Sequence, residues 1–111
     1  EDHADALILA SDSEESFNRF TIGANQEMSN INLTKIIGQY LDEKLPKAQS
    51  YFKQVTFIED RLGHDLRYAI DSKHISNTKG FFAKYELTKG IPKTIDWYIE
   101  NNEWVKRKLN N

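Results

Sequence analysis

The stretch Phe57-Ile58-Glu59-Asp60-Arg61-Leu62-Gly63-His64-Asp65-Leu66-Arg67-Tyr68-Ala69-Ile70-Asp71 sets the frame for everything around it. A short apolar run, Val55 to Ile58, reads as a strand. It breaks into a turn that holds Arg61, Gly63, His64 and several carboxylates. An apolar-polar alternation resumes over Leu66-Arg67-Tyr68-Ala69-Ile70 and closes on Asp71, which can cap a following helix. Fixed cations around a glycine turn at a strand end suit a phosphate. Arginine presents a planar fork of donors and keeps its charge at any working pH, so it can grip a pyrophosphate through two parallel hydrogen bonds. His64 adds a charged donor when protonated and a neutral hydrogen bond when not.

Outward from this stretch, helices and strands are expected to alternate. Asp2 to about Ala10 reads as a short helix. Ala4, Leu7 and Ile8 share one face, and Ala6, Leu9 and Ala10 widen the apolar surface, so the helix calls for cover on several sides. Ser11 to Ser16 is polar and acidic, hence a loop. Phe17 to Gly23 reads as a strand with Phe20 and Ile22 on one face. Asn25 to Asn30 is a polar connection. Leu33, Ile36, Ile37, Tyr40 and Leu41 recur at helical spacing, extended by Leu45; Ser29 and Asn30 can each cap this helix, and Pro46 ends it. Downstream, Asp71 can cap a helix from about Ser72 to Lys79, stopped by Gly80. Phe81 to Tyr85 fits a loop or a strand. Thr88 can cap the last helix, which tolerates Pro92 in its first turn and buries Ile91, Ile95, Tyr98 and Ile99. The lysine-rich tail from Lys106 reads as a solvated end. Together these predict a small mixed α/β lobe.

Composition narrows the function. The chain has 111 residues, enough for one domain with one core. With 39% hydrophobic and 29% charged residues it reads as globular rather than disordered. A formal charge of -2 argues against a general nucleic-acid binder, which usually carries a strong basic excess. There is no cysteine, and the three histidines are irregularly spaced, so no disulfide, thiolate site or metal ligand set is expected. No apolar run approaches the roughly 20 residues that span a bilayer. A cytoplasmic location is the expectation. No G-x-x-G-x-x-G turn follows a strand, so no dinucleotide is expected to bind these residues.

The opening stretch resembles the D-R-x-G-H-D-x-R-Y-A-I-D signature of the dTDP-glucose 4,6-dehydratases, which belong to the extended short-chain dehydrogenase/reductases. Flanking pieces agree in order and approximate spacing. Glu1-Asp2-His3-Ala4-Asp5-Ala6-Leu7 is similar to a V-E-D-H-A-x-A-L helix start. Phe20-Thr21-Ile22-Gly23 with Asn30 is similar to Y-N-I-G-G...N. Gly90-Ile91-Pro92-Lys93-Thr94-Ile95-Asp96-Trp97-Tyr98 is similar to G-I-R-K-T-V-E-W-Y. The resemblance implies that residues 1–111 are a single carboxy-terminal substrate-binding domain, expected without its amino-terminal NAD-binding Rossmann lobe. It implies a dTDP-sugar ligand, NAD as cofactor of the parent enzyme and none in these residues, and a homodimeric parent. The implied reaction oxidises the sugar at C4, removes water across C5 and C6, and returns hydride to C6, giving the 4-keto-6-deoxy sugar from which rhamnose is made. The resemblance implies that the catalytic groups lie in the other lobe, so this chain alone is expected to show no turnover. Two alternatives stay open: another nucleotide-sugar epimerase or decarboxylase of the same superfamily, and a free-standing binding module.

Each candidate residue has a plain reading beside the functional one. Arg61 by residue type alone pairs with Asp60 or Asp65 on the surface; the resemblance implies that it grips the nucleotide diphosphate, with His64 on the same nucleotide. Asn30 can cap its helix and, by resemblance, contacts the substrate. Arg67 either reaches the site or pairs with Asp65. Tyr68 reads as packing, Trp97 and Trp104 as core or interface aromatics, and His3 and His74 as helix-surface residues. The chain departs from the family pattern at Leu62, where proline is usual, at Met28-Ser29, which replaces a basic pair, and at Lys79, Phe81 and Pro92.

Overall fold

Local signals explain several helix ends. A computed structural model describes residues 1–12 and 19–110, and among these the regular elements are five α-helices and one 3-10 turn. The helices are α1 (Asp2–Ser11), α2 (Asn30–Lys44), α3 (Lys73–Lys79), α4 (Leu87–Glu100) and α5 (Asn102–Leu109); the 3-10 turn is Tyr51–Gln54. They gather into two compact units. One joins Glu1–Glu27 with Arg61–Glu86, the other Met28–Asp60 with Leu87–Asn111.

In the first unit, α1 and α3 pack around Ala6, Ile75 and Phe81, with Leu9, Phe20, Ile22 and Ala83 partly buried against them. The N-cap of α3 is Ser72, one residue past the expected Asp71, whose carboxylate still accepts a hydrogen bond from the Lys73 main-chain N–H at 2.9 Å. Gly80 ends the helix with φ +67, a left-handed conformation that only glycine adopts without strain. The irregular stretch after Gly80 is pinned to α1. Asp2 accepts from the main-chain N–H groups of Lys84 and Tyr85 at 3.0 and 3.1 Å, and Lys84 forms an ion pair with Asp5.

In the second unit, Ser29 is the cap of α2, accepting from Asn32 N at 3.4 Å, and Asn30 is the first helical residue. Gly38 is buried where α2 meets the 3-10 turn. A Cβ there would stand 3.1 Å from both the Cβ and the main-chain N of Phe52. The Asp42 carboxylate holds this turn, accepting from Ser50 Oγ at 2.6 Å and Tyr51 N at 2.8 Å; those donors lower its pKa. Tyr40 donates to Asp96 at 2.6 Å and Lys44 sits 3.1 Å from the same carboxylate, joining α2 to α4. Trp97 meets Tyr98 and Trp104 edge-on at 5.2 and 5.3 Å between ring centres.

The mixed α/β expectation is corrected: no described residue is in a strand. A strand exists only as one rung-set of a hydrogen-bonded ladder, so apolar alternation without a main-chain partner leaves an extended segment and nothing more. Val55 to Ile58 shows this, with Phe57 and Ile58 83% and 87% exposed. Of the strand expected over Phe17 to Gly23, residues 17 and 18 lie outside the described set, and 19–23 are extended without a ladder. Of the expected loop from Ser11, that serine closes α1 and residues 13–16 are outside the described set. Two smaller corrections concern the last helices. α4 begins at Leu87, so Thr88 lies inside it rather than capping it, and Pro92 is its sixth residue, where the missing N–H removes a hydrogen bond. Tyr98 is half exposed, outside the stripe formed by the half-buried Ile91, Ile95 and Ile99. The lysine-rich tail is helical, as α5, with its lysines exposed.

Candidate functional site

Arg61-Leu62-Gly63-His64 closes a tight turn. The His64 main-chain N–H donates to Arg61 O at 3.3 Å, and Gly63 takes φ +72 while Leu62 keeps a negative φ. A positive φ at the third residue alone is the mark of a type II turn. Proline is favoured at the second position of such a turn, which gives a physical reason for the proline that the resemblance noted above sets against Leu62. Leu62 is fully exposed, so the exchange removes no packing. The turn throws Arg61 and His64 outward, and both are exposed.

From the turn, residues 65–71, which bend at Leu66, run alongside residues 21–27, which bend at Asn25 (φ +52), in the opposite direction. Thr21 Oγ1 donates to the Asp71 carbonyl, Gly23 lies opposite Ile70 with room for a Cβ to touch its side chain, and Arg67 meets Glu27. Ser72, buried at the start of α3, donates through its hydroxyl to Asn25 Oδ1 at 3.1 Å. These side-chain links do the work that ladder bonds do in a sheet. A cavity of about 260 Å³ opens beside them, lined by residues 23–27 and 68–70.

Arg67 settles a question that its sequence left open. Its Nε and Nη2 each donate to a Glu27 carboxylate oxygen, both at 2.6 Å, so its partner is Glu27 and not Asp65. The pair lowers the Glu27 pKa, chiefly through the hydrogen bond from Arg67, and raises that of Arg67 for the same reason. Sequence reading missed Glu27 because it stands 40 positions from its partner. Tyr68, expected to pack, is largely exposed. Asn30 belongs to the other unit; it is exposed, and its main-chain carbonyl accepts from Thr34 Oγ1 at 2.8 Å. The structure thus brings Arg61, His64 and Arg67 into one unit and leaves Asn30 in the second. His74 stacks on Phe20 at 5.1 Å and is structural. Among the described residues no cluster of histidine and carboxylate side chains could hold a metal ion, and no helix is long and apolar enough to cross a membrane.

No family model matches the chain. Curated relatives do. Over 105 residues, 95% of this chain, it is 40% identical to dTDP-glucose 4,6-dehydratase 1 of Escherichia coli strain K12, covering 29% of that protein. Its relatives are dTDP-glucose 4,6-dehydratases. The enzyme of that name from Shigella flexneri is 41% identical over 106 residues, 96% of this chain and 29% of its own length. That from Neisseria meningitidis serogroup B is 34% identical over 114 aligned positions, 99% of this chain and 32% of its own length. A match that long necessarily includes the Arg61–His64 turn and both extended segments beside it. The chain spans about 30% of the length of the dTDP-glucose 4,6-dehydratases it matches.

Proposed function

We propose that this chain is the part of a dTDP-glucose 4,6-dehydratase that grips the nucleotide diphosphate, with Arg61 and His64 as its principal donors. The observation that carries the reading is the Arg61–His64 turn, which holds a guanidinium and an imidazole outward on one short loop, in a chain 40% identical to such an enzyme. A diphosphate offers planar pairs of anionic oxygens. A guanidinium meets them with two parallel N–H bonds, and an imidazole adds one more. The resemblance adds Asn30 as a donor through its side-chain amide.

The chemical role of such a grip is positional. Binding energy collected at the remote nucleotide holds the sugar where the reacting groups can meet it, and so lowers the barrier at a distance. NAD is the cofactor expected of the whole enzyme. These residues do not fit it, because no glycine-rich turn runs from a strand into a helix to cradle its pyrophosphate. In this reading the oxidation, loss of water and reduction that give dTDP-4-keto-6-deoxyglucose depend on groups outside these 111 residues. A cytoplasmic location and a homodimeric parent complete the proposal.

The test is calorimetric titration of the chain with dTDP-glucose, followed by assay of the same mixture with added NAD for the 4-keto product. Saturable binding without turnover is expected. Turnover by the chain alone would overturn the division of labour, and tighter binding of a uridine or guanosine diphosphate sugar would point to another nucleotide-sugar enzyme.

A further inference from the structure

Glu27 carries no motif and no expectation from the sequence, yet it holds Arg67 in the same two-point geometry that a phosphate would use. We propose that Glu27 is a positioning residue for the diphosphate grip: by clamping Arg67 it fixes the extended segment that carries Arg61 and His64, and Arg67 is a strut and not a phosphate ligand. The proposal rests on the diphosphate reading above and adds a residue and a role to it.

Three observations support it. The first is occupancy of the guanidinium. Nε and Nη2 both donate to Glu27, at 2.6 Å each, so this two-point edge of the guanidinium is spent on two carboxylate oxygens and only the edge that carries Nη1 is left for another anion. An incoming phosphate there would have to displace Glu27 and then face its negative charge. The second is position. Arg67 is three residues beyond His64, at most about 10 Å along the chain at 3.3 Å per residue, with a bend at Leu66 between them. Anchoring it restricts how far the turn can wander. The third is the series to which it belongs. Thr21 to Asp71 and Glu27 to Arg67 are links between two antiparallel segments, with Gly23 opposite Ile70 between them, and the Glu27 link lies nearest the turn. The hydrogen bond from Arg67 keeps the Glu27 carboxyl below the usual carboxylate range, so the clamp is closed at neutral pH.

The energetics separate this role from a merely structural one. Both side chains face solvent, so the pair adds little to folding. A grip that must be ordered at the moment of binding is weaker than one ordered beforehand, by roughly three- to tenfold for one or two side chains. Loss of the clamp should therefore lower affinity and leave stability almost unchanged.

The experiment titrates dTDP into the 111-residue chain and into Glu27→Gln, Glu27→Asp, the exchange Glu27→Arg with Arg67→Glu, and Arg61→Ala. Thermal unfolding is followed on each. Expected are a three- to tenfold weaker Kd for Glu27→Gln, an intermediate value for Glu27→Asp, and recovery to within about twofold in the exchange, all at near-constant midpoint. An exchange variant that folds but binds as poorly as Arg61→Ala would overturn the proposal, because Arg67 would then be a ligand in its own right. Glu27→Gln binding as tightly as the parent would also overturn it. Should the exchange fail to fold, the order Glu, Asp, Gln decides. If the parent chain does not bind dTDP, the diphosphate reading fails separately. The clamp is then read without ligand from the Gly63 and His64 amide resonances, which must move and exchange faster in Glu27→Gln; unchanged amides would contradict it.

Discussion

The unit built on α1 and α3 and the unit built on α2, α4 and α5 solve the problem of stability in opposite ways. The first contains the described residues that are buried and apolar, Ala6, Ile75 and Phe81, yet much of its backbone is irregular. The second is mostly helix, and Gly38 is its one buried position among the described residues. It is held by half-buried aliphatic stripes, an aromatic cluster and polar links such as Tyr40–Asp96–Lys44. Regular structure and burial are therefore separate quantities here. The candidate site sits on irregular, exposed backbone, and that backbone is tethered at Asp71 and Ser72 to the helix carrying Ile75. Exposed loops positioned by a small rigid support are where binding groups are usually found.

If that contrast is real, the largest mutational effect belongs to Ile75. Its side chain is fully buried, and Ile75→Ala leaves a cavity in a core of few members. The expected cost is about 2–5 kcal/mol, measured by denaturant unfolding together with amide exchange in α3. A cost below about 1 kcal/mol would show that the core is not the support described.

Gly38 probes the other unit. Alanine ordinarily favours a helix over glycine, but here any Cβ presses on the Phe52 main chain, which cannot swing aside as a flexible side chain can. Gly38→Val should destabilise by about 1–3 kcal/mol and loosen the 3-10 turn. A variant as stable as the parent would mean that α2 and the turn are not in close contact.

A smaller and pH-dependent effect belongs to Asp96. The hydrogen bond from Tyr40, and then Lys44, hold its carboxyl below the usual range. A group whose pKa is depressed by folding stabilises at neutral pH, and that contribution disappears as pH falls through the folded value. The pKa values of Tyr40 and Lys44 are raised, first by the hydrogen bond each makes, to Asp96 and to Tyr40 respectively. Their contributions are complete at neutral pH and fade only as pH rises through their folded values in the alkaline range. The stability difference between parent and Asp96→Asn should therefore shrink below about pH 4 in thermal scans. A difference constant down to pH 2 would contradict the assignment.

Much of the helical framework was legible because its signals are local. Ser29, Asp71 and Gly80 announce helix ends within a few residues of where they act, and the 3.6-residue spacing in α2 needs no distant partner. The strands failed for the converse reason. The apolar run at 55–58 and the placing of Phe20 and Ile22 on one face are local signals, whereas a ladder depends on a partner elsewhere in the chain. α5 went unread because Trp104 and Val105 are few apolar positions among charges, and its start is held by Asn101, whose side-chain amide donates to Trp97 O at 2.8 Å. The cationic turn was readable from Arg61, Gly63 and His64 themselves. What supports it was not: Glu27, Thr21 and Asn25 reach it only through the folded backbone.

The central claim is that the Arg61–His64 turn is a diphosphate grip. The most direct measurement is an NMR titration of the chain with dTDP, following the Gly63 and His64 amides, beside thymidine and beside Arg61→Ala. The account predicts saturable shifts at those amides with dTDP, little response to thymidine, and loss of the response in Arg61→Ala with the remaining spectrum intact. Shifts that are equal for thymidine and dTDP, or that survive Arg61→Ala, would contradict it.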